Sequence, residues 1–204
     1  KPAYLNLPPG ALDDKVRRAE TILKSCVLCP RECRIDRTRG EVGFCRTGDQ
    51  PFLSSWGPHF GEERPLVGRG GSGTLFFGYC NLGCLYCQNY TISHLGEGNQ
   101  VSSRRLAGIM IDLQDRGCHN INLVTPTHQT PMILKALSLA IPEGLRIPIV
   151  YNCGGYESLE SIALLDGVID IYMPDFKYAD PEQALRYSQA AAYPAAAMAA
   201  LKEM

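Results

Sequence analysis

Thr74-Leu75-Phe76-Phe77-Gly78-Tyr79-Cys80-Asn81-Leu82-Gly83-Cys84-Leu85-Tyr86-Cys87-Gln88-Asn89 is the stretch on which the reading of this chain turns. Its first half is apolar and reads as a buried strand ending at Cys80. The strand empties into a loop carrying Cys80, Cys84 and Cys87 at the spacing C-x3-C-x2-C. Thiols placed this way point to a metal cluster at a strand end. Three is one short of a closed site, because structural zinc and ferredoxin-type cubanes both take four protein ligands. A four-iron cluster on three thiolates leaves one iron for an external small molecule, and the cofactor then carries the chemistry.

Downstream of this loop the chain becomes regular. Ser102 or Ser103 caps a helix with Leu106, Ile109, Met110 and Leu113 on one face, closed at Gly117, and a strand follows at 121–124. Thr130-Pro131 opens a second helix with Ile133, Leu134 and Leu137 inward, followed by a strand at 147–151 whose Pro148 belongs near its start. A helix at 158–165 is closed by Gly167, a strand follows at 168–173, and Asp180-Pro181 caps another helix. Strands alternating with amphipathic helices predict an α/β fold on a parallel sheet, with ligands at the C-terminal ends of the strands. The loops at those ends carry Cys80, the Thr125 to His128 segment, Asn152 with Cys153, and Asp175 with Lys177.

Upstream, Leu12, Val16, Ala19, Ile22 and Leu23 recur at helical spacing. Cys26, Cys29, Cys33 and Cys45 then crowd into twenty residues with glycines between, as in a small metal-folded module; zinc and a second iron–sulfur cluster both fit. Arg31, Arg34, Arg37, Arg39 and Arg46 surround these thiols, and their charge is read as offsetting thiolates rather than as a nucleic-acid patch. Residues 51–73 read as loop, with the glycine-rich run from Gly68 to Gly73 as a connector. The expected domains are 1–66, a helix and the four-cysteine module, and 67–204, the α/β core.

Composition narrows the class. The chain has 204 residues, 45% hydrophobic and 20% charged, with a formal net charge of −1, which gives no general attraction to nucleic acid or anionic membranes. Nine cysteines in short-spaced groups suit metals better than disulfides. No signal peptide or apolar run long enough for a membrane span is found, so the cytoplasm is the expected compartment. The chain begins at Lys1 and its strand pattern gives way to the alanine-rich stretch from Ala190 to Ala200, so a longer parent protein is expected.

Cys80-x3-Cys84-x2-Cys87, with Tyr86 directly before the last cysteine, resembles the signature of radical S-adenosylmethionine (SAM) enzymes. The fold this resemblance implies is a partial (βα) barrel of the radical SAM type, here cut short after about four βα units. The cofactors it implies are a [4Fe-4S] cluster and SAM, whose reductive cleavage gives a 5'-deoxyadenosyl radical that abstracts hydrogen. Further stretches, Cys29-Pro30-Arg31, His59 to Glu63, Cys87 to Tyr90, Asn120 to His128 and Asp170 to Tyr178, resemble uncharacterised iron–sulfur proteins named as homologues of pyruvate formate-lyase activating enzyme. On that resemblance Cys80, Cys84 and Cys87 are cluster ligands and the Tyr86 backbone lies against the adenine. Thr125, Thr127 and His128 take the place of the turn that holds the methionine amino group. Asp175 and Lys177 match a D-x-K motif whose lysine meets the cofactor carboxylate, and Asn152 stands where those enzymes carry an aspartate. The implied partners are a reductant such as flavodoxin or ferredoxin and a protein whose glycine receives the radical. Two other classes compete: an iron–sulfur electron-transfer or redox-sensing protein, and a zinc-binding module without catalysis.

Overall fold

The computed structural model describes all residues, Lys1–Met204. Six strands form one sheet: β1 (Phe52–His59), β2 (Ser72–Phe77), β3 (Asn99–Gln100), β4 (Ile121–Val124), β5 (Ile149–Cys153) and β6 (Ile171–Pro174). Their order is β3-β1-β2-β4-β5-β6, so the sheet is open with β3 and β6 at its edges. The four strands β2, β4, β5 and β6 run parallel, as the alternating pattern predicts, whereas β1 pairs antiparallel with both β2 and β3. β1 corrects the reading of residues 51–73 as loop. Its Ser54, Ser55, Gly57 and Pro58 interrupt apolar alternation, and a register shift between Leu53 and Ser55 breaks the period further.

Register aligns Leu75, Leu123, Tyr151 and Tyr172 across the parallel strands on one face. Against that face lie the helices α1 (Ala11–Ile22), α4 (Ser103–Asp115), α5 (Thr130–Ala140) and α6 (Leu159–Leu165), which share one core with the strands. Two single-turn helices, α2 (Arg64–Val67) and α3 (Tyr90–Ser93), lie in connecting loops, and α7 (Pro181–Ser188) and α8 (Tyr193–Glu203) close the described chain. The alanine-rich stretch is thus largely helix α8. The opposite sheet face carries Phe76, Val124, Asn152 and Met173, all half-buried, beside the buried Asn122, whose side-chain amide has no hydrogen-bond partner.

Local chemistry sets the element ends. The Ser102 hydroxyl accepts from the Arg105 amide at 3.1 Å and the Ser158 hydroxyl from the Ser161 amide at 3.2 Å, so both serines act as N-caps. Pro148 lies outside β5, which starts one residue later, because a proline has no amide to donate to the ladder. β6 likewise begins later than the expected 168: the Asp170 carboxylate accepts from Ala3 at 2.7 Å and from Ile149 at 2.8 Å, tying the N-terminus to the sheet ahead of the strand. The expected division after residue 66 is not a break in packing. Val16, Ala19, Ile22, Leu23 and Leu28 belong to the same core as Leu75 and Leu123, because the apolar face of α1 has the sheet's own helix layer to bury against.

Candidate functional site

β2 stops at Phe77, three residues short of the expected end at Cys80. Tyr79 turns the chain with φ 63°, a left-handed conformation that costs a non-glycine residue on the order of 1 kcal/mol. Its amide donates to the Ile92 carbonyl at 2.9 Å and its ring meets Phe52 at 5.0 Å, which holds the turn in place. At the end of the neighbouring strand β4, Thr125 takes φ 57°, and its amide donates to Asn152 at 2.9 Å. Two strained residues side by side at the C-terminal rim of a parallel sheet mark it as the functional edge.

The cysteine loop is held from three sides. Arg31 donates to the carbonyls of Asn81 (3.0 Å), Leu82 (3.0 Å), Ser188 (2.7 Å) and Gln189 (2.6 Å), clamping the loop to the end of α7. Asn81 donates to Tyr156 at 2.7 Å, and the Leu85 amide to Tyr187 at 2.9 Å. Beneath the loop, Leu82 and Cys84 share a small core with Tyr156, Tyr178, Ala184, Ala190, Tyr193 and Ala197. Cys80 Sγ accepts from the Leu82 amide at 3.3 Å. Burial pushes the Cys80 thiol up to about 11, against the opposing pull of the Gly83 and Leu82 amides, and the nearby Cys84 and Cys87 push it further. Cys84 and Cys87 thus lie within electrostatic reach of Cys80, and a metal would have to displace the Cys80 proton.

On the far side of the loop Lys177 and Asp175 form an ion pair of 2.7 Å. Burial opposes the charge on Lys177, but the hydrogen bond and attraction to Asp175, with Cys84 and Tyr86 adding to it, hold its pKa above the ordinary value. The structure therefore brings Cys84, Tyr86, Asp175 and Lys177 together. Tyr86 is 56% exposed, with its ring edge-on to Tyr178 and Tyr187. Tyr193, from α8, fixes the Asp175–Lys177 loop: its hydroxyl accepts from the Lys177 amide at 2.8 Å and faces the Gly154 and Asp175 carbonyls at 2.8 Å each. Nothing in an alanine-rich run signals this tyrosine.

The Thr125 to His128 segment divides. Thr125 and Asn152 are half-buried at the rim, whereas Thr127 and His128 are buried and engaged within the protein. The His128 ring Nε2 lies 2.9 Å from the Gly78 carbonyl; since a carbonyl only accepts, Nε2 carries the proton. Burial, with Arg37 nearby, lowers the His128 pKa to about 4, so the ring is neutral near pH 7, and its Nδ1 has no partner. Thr127 donates to the carboxylate of Glu157 at 2.5 Å, and the Tyr151 hydroxyl donates to the other oxygen at 3.0 Å. Glu157 carries no signal in the sequence, because an acid in a rim loop ordinarily faces water, whereas here it is buried.

Burial raises the pKa of Glu157 to about 7, against hydrogen bonds from Thr127, Tyr151 and Cys153 that lower it; Cys29 also lies near. Folded protein therefore keeps the Glu157 proton where the unfolded chain releases it, from about pH 4.5 to about pH 7. Stability contributed by that proton is complete below this window and lost as the pH rises through it, a swing on the order of 3 kcal/mol. His128 acts in the opposite sense, losing stability as the pH falls from 6.5 toward about 4. Glu157→Gln removes the first effect alone, so urea midpoints measured from pH 4 to 8 will fall less with rising pH in the variant than in the parent.

Residues 74–204 match the profile of the radical SAM superfamily. The chain belongs to that superfamily. Membership brings with it a [4Fe-4S] cluster and SAM, and the donor set at the rim fits them: thiols without a protein-supplied fourth, beside an ammonium group and an exposed tyrosine. An uncharacterized protein of Methanocaldococcus jannaschii is 36% identical over 194 residues, which cover 91% of this chain and 55% of that protein. The radical SAM chain thus spans about half the length of this relative. No solved structure matches it. None of its helices is long and apolar enough to cross a membrane.

Proposed function

We propose that this protein is a radical SAM enzyme in which Cys80, Cys84 and Cys87 hold the [4Fe-4S] cluster and leave its fourth iron for SAM. When bound, the cluster supplies one electron that splits the carbon–sulfur bond of SAM, giving a 5'-deoxyadenosyl radical for hydrogen abstraction. The observation that carries this reading is the Asp175–Lys177 ion pair, with Cys84 and Tyr86 of the cysteine loop within electrostatic reach of Lys177. In this reading Lys177 would hold the carboxylate of bound SAM, the Tyr86 backbone would receive its adenine, and Thr125 and Asn152 would serve its methionine end. Thr127 and His128 support that rim from below through Glu157 and Gly78.

Within this chemistry we place the protein in the branch of pyruvate formate-lyase activating enzyme, acting on a glycine of a protein partner, with reduced flavodoxin or ferredoxin as electron donor in the cytoplasm. Support for the finer reading comes from the D-x-K pair of Asp175 and Lys177. Anaerobic reconstitution with iron and sulfide tests the general one: the loaded protein should release 5'-deoxyadenosine from SAM with dithionite. Iron-loaded protein that leaves SAM intact under those conditions would count against it. Lys177→Met removes a charge-assisted hydrogen bond worth about 1.5–3 kcal/mol, so SAM affinity should fall roughly 10- to 150-fold at unchanged iron content, read by equilibrium dialysis.

A further inference from the structure

We propose that Cys26, Cys29, Cys33 and Cys45 hold a second four-iron cluster, with every iron closed by a protein thiolate. All four line one pocket together with Arg31, Arg37, Asn81 and His128. Cys29 lies within electrostatic reach of Cys26 and Cys45, and the Cys33 sulfur would sit 2.7 Å from a Cβ placed on Gly43, so the glycine makes room for the thiol. Glu32 (φ 40°), Arg34 (φ 54°) and Arg46 (φ 53°) flank Cys33 and Cys45 in left-handed conformations, so the turns that aim these two thiols are strained.

Charge points to an anionic occupant. Arg37 is 1% exposed, and its guanidinium donates to His128, Thr47 and Gly48 and reaches Cys26 Sγ at 3.9 Å, with no carboxylate in ion-pair range. A buried cation without a counter-charge is costly, and a cluster on four thiolates supplies one. Arg31, over the Phe44 ring at 3.6 Å, lies on the same wall.

Spacing favours iron–sulfur over zinc. Zinc sites are usually built from two pairs of ligands that close on a single point with bonds of about 2.3 Å. Here three cysteines stand together and the fourth lies twelve residues on, the three-plus-one arrangement of cubane and two-iron ferredoxins. Because no iron is left open, this second centre binds no SAM.

Metal analysis of anaerobically reconstituted protein decides the matter. We expect about eight irons and eight sulfides per chain, about four of each in the Cys29→Ala/Cys33→Ala double variant, and about four in Cys84→Ala/Cys87→Ala. The last variant loses the site of the proposed SAM chemistry and still keeps the second cluster, so the two readings fail separately. Should the N-terminal variant not fold, the parent protein answers: after dithionite reduction, electron paramagnetic resonance should show two cluster signals, of which SAM alters one. A single signal, one zinc per chain with about four irons, or unchanged iron in a folded Cys29→Ala/Cys33→Ala variant would overturn the proposal.

Discussion

Replacing Cys84 by alanine will strip iron from the central loop and reduce 5'-deoxyadenosine formation to background. Cys84 is buried at 6% exposure in the small core beneath the loop, among apolar and tyrosine side chains that offer no thiolate to replace it. Cys80 and Cys87 alone leave two irons of a cubane without protein ligands. The methyl group left behind keeps most of the packing, so the fold should survive at a cost of about 1 kcal/mol. Cys118→Ala is the matched control, since Cys118 is equally buried but lies in the core behind the sheet, away from the rim. It should leave both iron content and turnover unchanged. Iron retained at the parent level in Cys84→Ala would defeat the assignment of this thiol as a ligand.

The second large effect concerns stability. Arg37→Ala removes the donors that serve the carbonyls of Gly48 and His128 and the hydroxyl of Thr47, all of which stay buried or partly buried. It also opens a void where the largest fully buried side chain of the protein stood. Unpaired buried groups cost about 1–3 kcal/mol each, and a combined loss of about 3–5 kcal/mol should lower the melting midpoint by about 10 °C, measured by circular dichroism. Arg37→Lys should recover part of that loss, because a lysine restores one charge and some donors but not the planar fork. A shift below about 2 °C in Arg37→Ala would mean that the buried guanidinium contributes little through these hydrogen bonds.

Much of this molecule could be read from residue order because its parallel strands and capped helices obey local rules. Ser102, Ser158 and Asp180 stand at helix starts, and the apolar sets of α4 and α5 repeat at the spacing that burial demands. β1 could not be read that way, since an antiparallel strand with serines, glycine and proline owes its place to β2 and β3 and not to its own pattern. The same holds for the site. Cysteine spacing is a local signal, and so is Asp175 two residues before Lys177. Arg31, Arg37, Glu157 and Tyr193 act across distances in sequence of up to 158 residues, and each looks ordinary among its neighbours. The arginines around the first four thiols illustrate the difference. Composition placed their charge there, but only packing separates Arg31 and Arg37, turned inward, from Arg34, which pairs with Glu32 at the surface.

The tip of the central loop has one more consequence. Leu85, next to Cys84, is 66% exposed, and Tyr86 stands nearly as open. An iron centre under so thin a cover meets dissolved dioxygen as readily as it meets its cofactor. Protein handled in air will lose the iron of this centre and with it part of its brown colour, and the thiols, once reduced again, will take up fresh iron and sulfide when the air is removed.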